Sequence, residues 1–279
     1  MSTAVMAIVL LAAFLHAGWN ALVKSSPDTF LDIVFVTGSA AVISGIVLPF
    51  LPLPHSDSWP YIAASAAIHV VYFVLIGAAY RSGDMAHAYP LMRGTPPLFV
   101  ALASGPIIGE RLTAGEWSGI LLICGGILGL LLASPSSGVN TRSTQFALLN
   151  AVAIMSYTLV DGTGVRISGS PAAYTMWVFA ITALPILGWT AMHRRGAIRS
   201  YLCARGHLAL VGGACTLGAY TLVLWAMTRA PIAMVAALRE TAILFGAAIS
   251  AFVLKEPRNH GRSAAALLIL VGVMTLRLS

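Results

Sequence analysis

The sequence predicts an all-α integral membrane protein with ten transmembrane helices, arranged as two inverted five-helix repeats. Three observations carry that expectation. Composition is the first: 58% of the 279 residues are hydrophobic and only 9% charged, with a mean hydropathy of +0.88. A soluble domain has roughly a quarter of its residues charged. The second is a succession of long apolar runs, each close to the roughly 20 residues that cross a bilayer as a helix. Strands of a membrane barrel need only about 9–11 alternating residues, so the runs read as helices. The third is internal: the layout of residues 89–111 returns at 235–257.

The apolar runs are 4–23, 31–52, 59–80, 85–107, 115–133, 144–163, 172–192, 207–228, 231–254 and 261–278. The first lacks a basic leading region and a small-residue cleavage site, so it reads as a retained spanning helix and not as a signal peptide. Between the runs lie short joints with turn chemistry, such as Pro52-Leu-Pro-His-Ser-Asp, Arg81-Ser-Gly-Asp, Ser134-Pro-Ser-Ser-Gly and Ser168-Gly-Ser-Pro. The longest joint, from His193 to Gly206, is also the most basic. None leaves room for a soluble domain.

The repeat sets the domain organisation. A shift of 148 residues lays Tyr72 on Tyr220 and Arg81 on Arg229. A shift of 146 lays Arg93, Phe99 and Glu110 on Arg239, Phe245 and Glu256, and Leu121-Leu122-Ile123 on Leu267-Leu268-Ile269. Two units follow, 1–135 and 143–279. Five helices per unit is an odd number, so the second unit enters the membrane the other way up. Inverted repeats of this kind are a secondary-transporter architecture, with the substrate site near mid-membrane between the halves.

The unit made of helices 4 and 5 has Tyr89-Pro90-Leu91, an apolar run, Gly109-Glu110-Arg111-Leu112 and a glycine-rich helix beyond it. It resembles the EamA unit of the drug/metabolite transporter superfamily. The stretch His16-Ala-Gly-Trp-Asn-Ala-Leu-Val-Lys24 is similar to the opening of one EamA branch. The likeness covers both repeats. It implies ten helices and transport of a small organic molecule, and fixes no substrate. Arg93 and Arg239, inside helices 4 and 9, depart from the commoner pattern of the family.

The net charge of +7 comes from basic residues scattered singly or in small groups between apolar runs. That orients a membrane protein and does not indicate nucleic-acid binding. With both termini outside, ten of the sixteen Lys and Arg residues fall in cytoplasmic joints and four on the far side, which favours that orientation in the cytoplasmic membrane. Cys124, Cys203 and Cys215 form no CxxC and no metal-ligand spacing. No catalytic site, cofactor or metal is expected; the expected partners are a small-molecule substrate, membrane lipids and a coupling proton.

Arg93 and Arg239 are the leading candidate site residues. An arginine at mid-bilayer costs about 2.5–3.5 kcal/mol on insertion scales, and each lies about nine residues into its run. One reading has the pair hold an anionic or zwitterionic substrate, since a guanidinium forks onto carboxylate or phosphate. The other has each arginine tie down carbonyls freed by Pro90, Pro96 and Pro97, or pair with an acid. The first is favoured because intramembrane charge is functional by default. Tyr89 lies one turn before Arg93 and shares its face.

Glu240 adjoins Arg239, and on a continuous helix the two point about 100° apart. Glu240 reads as a partner for Arg93 across the interface, as a proton-binding carboxylate or as a buried counter-charge. Asp161, one turn after Tyr157, reads as a coupling acid or, slightly preferred, as a solvated group beside Arg166. His16, Trp19 and Asn20 form one polar stripe on helix 1, either lining the cavity or serving as belt and helix-glue residues. Tyr72 and Tyr220 read as a symmetric pair along the pathway or as packing residues. Glu110-Arg111 and Lys255-Glu256, at helix ends, are assigned to turns and interfaces and not to the site, and Gly125 and Gly129 to a close helix contact.

The resulting expectation is a secondary transporter that moves a small organic metabolite across the cytoplasmic membrane by alternating access. Two alternatives of other classes are a membrane-embedded enzyme acting on a lipid-linked substrate, and a non-transporting membrane binding or assembly protein.

Overall fold

The computed structural model describes all residues except 25–28, 84, 134–139 and 253–259. The predicted turn Lys255-Glu256-Pro257 and the joint Ser134–Gly138 therefore lie outside the described residues. The rest is helical: α1 (Thr3–Lys24), α2 (Thr29–Val47), α3 (Trp59–Ser82), α4 (Met85–Gly94), α5 (Pro96–Ile108), α6 (Ala114–Ala133), α7 (Thr141–Ser168), α8 (Pro171–His193), α9 (Arg195–Met227), α10 (Ile232–Arg239), α11 (Ala242–Phe252) and α12 (His260–Leu278). Among the described residues, seven of these helices are long and apolar enough to cross a membrane, and α12 carries a shorter apolar stretch, Ser263–Leu278. Large apolar side chains such as Val42, Ile46, Val74, Leu102 and Leu267 stay exposed on the outer faces, as contact with lipid requires.

Runs four and nine are each divided in two, α4/α5 and α10/α11. The first division has the cause expected from the sequence. Pro96 and Pro97 open α5 without N–H groups to give back to α4, and the hydroxyl of Thr95 donates to Leu91 O at 2.6 Å. The second has no proline. There, Glu240 and Thr241 make tight i→i−3 bonds to Ala237 and Leu238 carbonyls, and the Thr241 hydroxyl donates to Leu238 O at 2.7 Å. Thr95 and Thr241 are counterparts under the shift of 146, so the two divisions fall at matching points.

Two boundaries differ from the sequence reading. The basic joint His193–Gly206 is helical except at Arg194: α9 begins at Arg195 and runs 33 residues, a rise of about 50 Å. Its early turns are fixed from the side, since Tyr201 is buried and donates to the buried carboxylate of Asp32 on α2. The sixth helix extends past residue 163 to Ser168. It is capped at its start by Asn140, whose side chain accepts from Arg142 and Ser143, and stopped by Gly169 at φ 70°.

Packing partners exchange between the halves. α3 lies on α7 and α9 on α1; α2 lies on α9 and α8 on α3; α4 and α5 meet α7, and α10 and α11 meet α1; α6 and α12 lie on each other. In lipid such contacts depend on close approach through small residues. The close pair, however, is not Gly125 and Gly129. A side chain at Gly129 would meet nothing within 4 Å, and at Gly125 only Leu268 at 3.8 Å. Instead a Cβ added at Gly126 would stand only 2.7 Å from Ile269 and 2.9 Å from the Ala265 carbonyl, and one at Gly272 only 2.8 Å from the Gly119 carbonyl. The sequence pattern names glycines at helical spacing; which of them face α12 depends on the rotation of α6.

Accordingly, Gly126→Leu or Gly272→Leu should destabilise the purified protein by about 1–3 kcal/mol through overpacking, whereas Gly129→Leu should be nearly neutral. Thermal unfolding in detergent checks this, and equal effects at Gly126 and Gly129 would contradict the contact.

Candidate functional site

The site is built where the two divided runs meet. α10 is the most enclosed element, with all eight residues buried. Its N-cap, Pro231, offers no side-chain cap. The carboxylate of Glu110, at the far end of α5, serves in its place: Oε1 accepts from the Ile232 N–H at 2.8 Å, with Ala233 N–H 3.5 Å from Oε2. Arg166 bonds Glu110 at 2.8 Å and the Met227 and Ala230 carbonyls at 2.9 and 3.0 Å. A negative charge at a helix N-terminus is favourable electrostatically as well as through its hydrogen bonds. Glu110, assigned to a turn and interface by its sequence, joins the first half of the chain to the half-helix carrying Arg239.

At the other end of α10 three charges converge. The Glu240 carboxylate lies 3.3 Å from Nη2 of Arg239 and 3.5 Å from Nε of Arg93. The expected pairing of Glu240 with Arg93 is present. The expected 100° separation of Arg239 and Glu240 is not, because α10 ends at Arg239 and the following tight turn brings the two neighbouring side chains together. Glu240 is nearly sealed at 1% side-chain exposure, while Arg93 keeps 12%. Nη2 of Arg93 also contacts Nε2 of His16 on α1, and Tyr89 lies with its ring centroid 5.9 Å from the guanidinium carbon.

The helix 1 stripe adjoins this cluster. Trp19 Nε1 donates to His16 Nδ1 at 3.1 Å, and the Asn20 amide donates to the His16 carbonyl at 2.8 Å. His16 thereby links the stripe to Arg93, and Trp19 holds its ring. Asn20 spends an N–H inside its own helix.

Tyr72 and Tyr220 belong to a set of rings. His69 stacks on Tyr157 at 4.2 Å, Tyr220 meets His69 edge-on at 5.9 Å, and Tyr72 meets Tyr157 edge-on at 6.0 Å. Tyr72, Tyr220, His16, Trp19, Asn20, Tyr89 and Arg93 are all half-buried. Arg239 is close enough for its charge to act on Tyr157 and Tyr220.

Asp161 is fully buried, contrary to the reading that placed it in solvent beside Arg166. Its carboxylate accepts from the Tyr174 hydroxyl at 2.9 Å and from the Tyr220 hydroxyl. Arg166 faces Glu110 instead, because α7 continues beyond residue 163 and carries the two residues apart.

The EamA-like transporter family model matches residues 3–132 and again 142–278. The chain belongs to the EamA-like transporter family. It is therefore a member of the drug/metabolite transporter superfamily, an integral membrane protein whose family transports small molecules and is not a family of enzymes. A solved crystal structure, described only as that of a protein, shares the fold with a TM-score of 0.78 at 18% identity, over 100% of this chain and 98% of that one. No curated protein matches the chain.

Within this EamA-like transporter, Tyr157, Tyr174, Ser65 and Arg166 join the neighbourhood of the site without having been singled out as site residues. The i, i+4 pair Tyr157–Asp161 and the Ser65–His69–Tyr72 face were the available signals. Tyr174 and Arg166 had none, since their partners lie on other helices.

Glu240→Gln should leave two arginines facing each other in the interior and cost about 3–5 kcal/mol, the range for breaking a buried pair. Arg93→Gln combined with Glu240→Gln should recover a large part of that loss. Thermal unfolding of both variants checks it; additive losses in the double variant would dissolve the coupling.

Proposed function

We propose that this EamA-like transporter is a secondary transporter carrying a small anionic or zwitterionic metabolite across the cytoplasmic membrane by alternating access, with both termini outside. The moving parts are two inverted five-helix units, residues 1–135 and 143–279. The exchange of packing partners between the halves supports a two-fold relation, and the odd helix number per unit makes it an inverted one.

One observation carries the substrate class: two arginines from the two divided helices share a single carboxylate. Glu240 meets Arg93 only along its Nε edge, so the guanidinium fork is not consumed by that pair. Among the described residues Arg93 Nη1 makes no hydrogen bond, and Arg93 is the more exposed member of its ion pair with Glu240. A carboxylate, phosphonate or phosphate would take the planar fork. The rings of Tyr72, Tyr89, Tyr157 and Tyr220 give its body apolar surface with hydroxyls at the edge. His16, held by Trp19 on α1, packs against the Arg93 guanidinium.

A thermal-shift screen of the purified protein against anionic, zwitterionic and cationic metabolites tests the class. Stabilisation by anions or zwitterions is expected, and stabilisation by cations alone refutes it. For the metabolite so found, Arg93→Ala and Arg239→Ala should reach the membrane folded yet bind about 10–100-fold more weakly, the equivalent of one charge-assisted hydrogen bond, and lose transport. Wild-type transport in both variants would remove the arginines from the site, and binding without translocation in liposomes would favour a binding or assembly protein.

A further inference from the structure

The interior described above holds a second carboxylate that the arginine cluster does not use. Asp161 is 0% exposed. Around it stand Ser65 and His69 of α3, Tyr174 of α8 and Tyr220 of α9, with Tyr157 one turn earlier on its own helix against the Tyr220 ring. Arg166, one turn on, is turned away to Glu110 and to backbone carbonyls. Among the described residues no basic group lies within ion-pair distance of Asp161. Its oxygens are met by hydroxyls: Tyr174 on Oδ1, Tyr220 on Oδ2 and Ser65 within reach.

Resting on the transport reading, we propose that Asp161 is the proton-binding group of this transporter. The two carboxylates of the interior stand in different surroundings. Glu240 is held between two guanidiniums at 3.3 and 3.5 Å, and a proton there would leave two like charges facing each other. Asp161 has no guanidinium beside it: hydroxyls meet its oxygens, and among the described residues the one titratable base near enough to feel its charge is the His69 imidazole, so removing its charge relieves a desolvation cost. A hydroxyl both donates and accepts. When a proton from the aqueous phase forms an O–H bond on Oδ2, the Tyr220 hydroxyl turns from donor to acceptor, and no heavy atom has to move. Tyr220 is the half-buried member of that pair and stands in the ring set beside His69 and Tyr157, so it connects the acid to the substrate side.

Charge bookkeeping gives the proton a purpose. With both acids ionised, Arg93 and Arg239 balance Glu240 and Asp161. A bound anion adds one negative charge to a low-dielectric interior, and a proton on Asp161 restores neutrality. A net-neutral zwitterion needs no such proton.

Infrared spectroscopy of the lipid-reconstituted protein over a pH titration, with no substrate present, tests the assignment. The wild type should show a protonated-carboxylic C=O band that vanishes on alkalinisation. Asp161→Asn should lose that band, and Glu240→Gln should keep it. Tyr174→Phe should keep the band but move it to higher frequency, because with the proton on Oδ2 the carbonyl is Oδ1, which loses its Tyr174 donor; this variant decides the matter if Asp161→Asn does not fold. Absence of a titrating band, its survival in Asp161→Asn, its loss in Glu240→Gln or an unmoved band in Tyr174→Phe would each overturn the proposal. The measurement needs no substrate. A failed metabolite screen therefore leaves it standing, and a failed titration leaves the arginine reading untouched.

Discussion

The carboxylate of Glu240, set between Arg93 and Arg239, is the interaction the rest of the structure answers to. Two guanidiniums inside an apolar bundle are tolerable only when their charge is met. One buried acid touching both, at 3.5 and 3.3 Å, meets half of it. The position of that acid depends on ending α10 at Arg239, since only a tight turn lets adjacent residues bring their side chains together. The division of the run at Glu240–Thr241 is thus part of the charge arrangement. Its counterpart at Thr95 sets Arg93 at the matching place on the other half, one residue before Gly94 closes α4.

Burying α10 completely has a cost at its other end, where the first N–H groups need acceptors and Pro231 provides none. Glu110 supplies them from just past the end of α5, and Arg166 ties Glu110 to carbonyls at the end of α9 and just after it. The half-helix is therefore held at both ends by charges from outside itself, with its apolar flank packed on α1, α5, α7 and α9. Because Glu110 belongs to the first half of the chain and α10 to the second, this contact lies where relative motion of the halves would be felt.

Much of this was legible in the sequence because membrane helices announce themselves by length and composition. The succession of apolar runs, the prolines that open α5, and the spacing shared by Arg93 and Arg239 are all local or repetitive features. The misreadings share one cause. The joint at 193–206 was polar enough to pass for a loop, but Tyr201 finds Asp32 on α2 and the helix continues. Gly125 and Gly129 had the right spacing and the wrong face. Asp161 seemed near a surface because its helix was ended too early. In each case the deciding partner lay on another helix.

The sequence by itself determined an all-helical membrane chain, its duplicated layout and an arginine about nine residues into each of two matching apolar runs. Each follows from hydrophobic length or from pattern, which are properties of residues in order. Only the tertiary structure decided that Glu240 touches both arginines, that Glu110 caps a helix 122 residues away, and that Asp161 faces tyrosines and not Arg166. Those are contacts between remote segments, fixed by how helices rotate and where they break, and an isolated helical pattern leaves the rotation open.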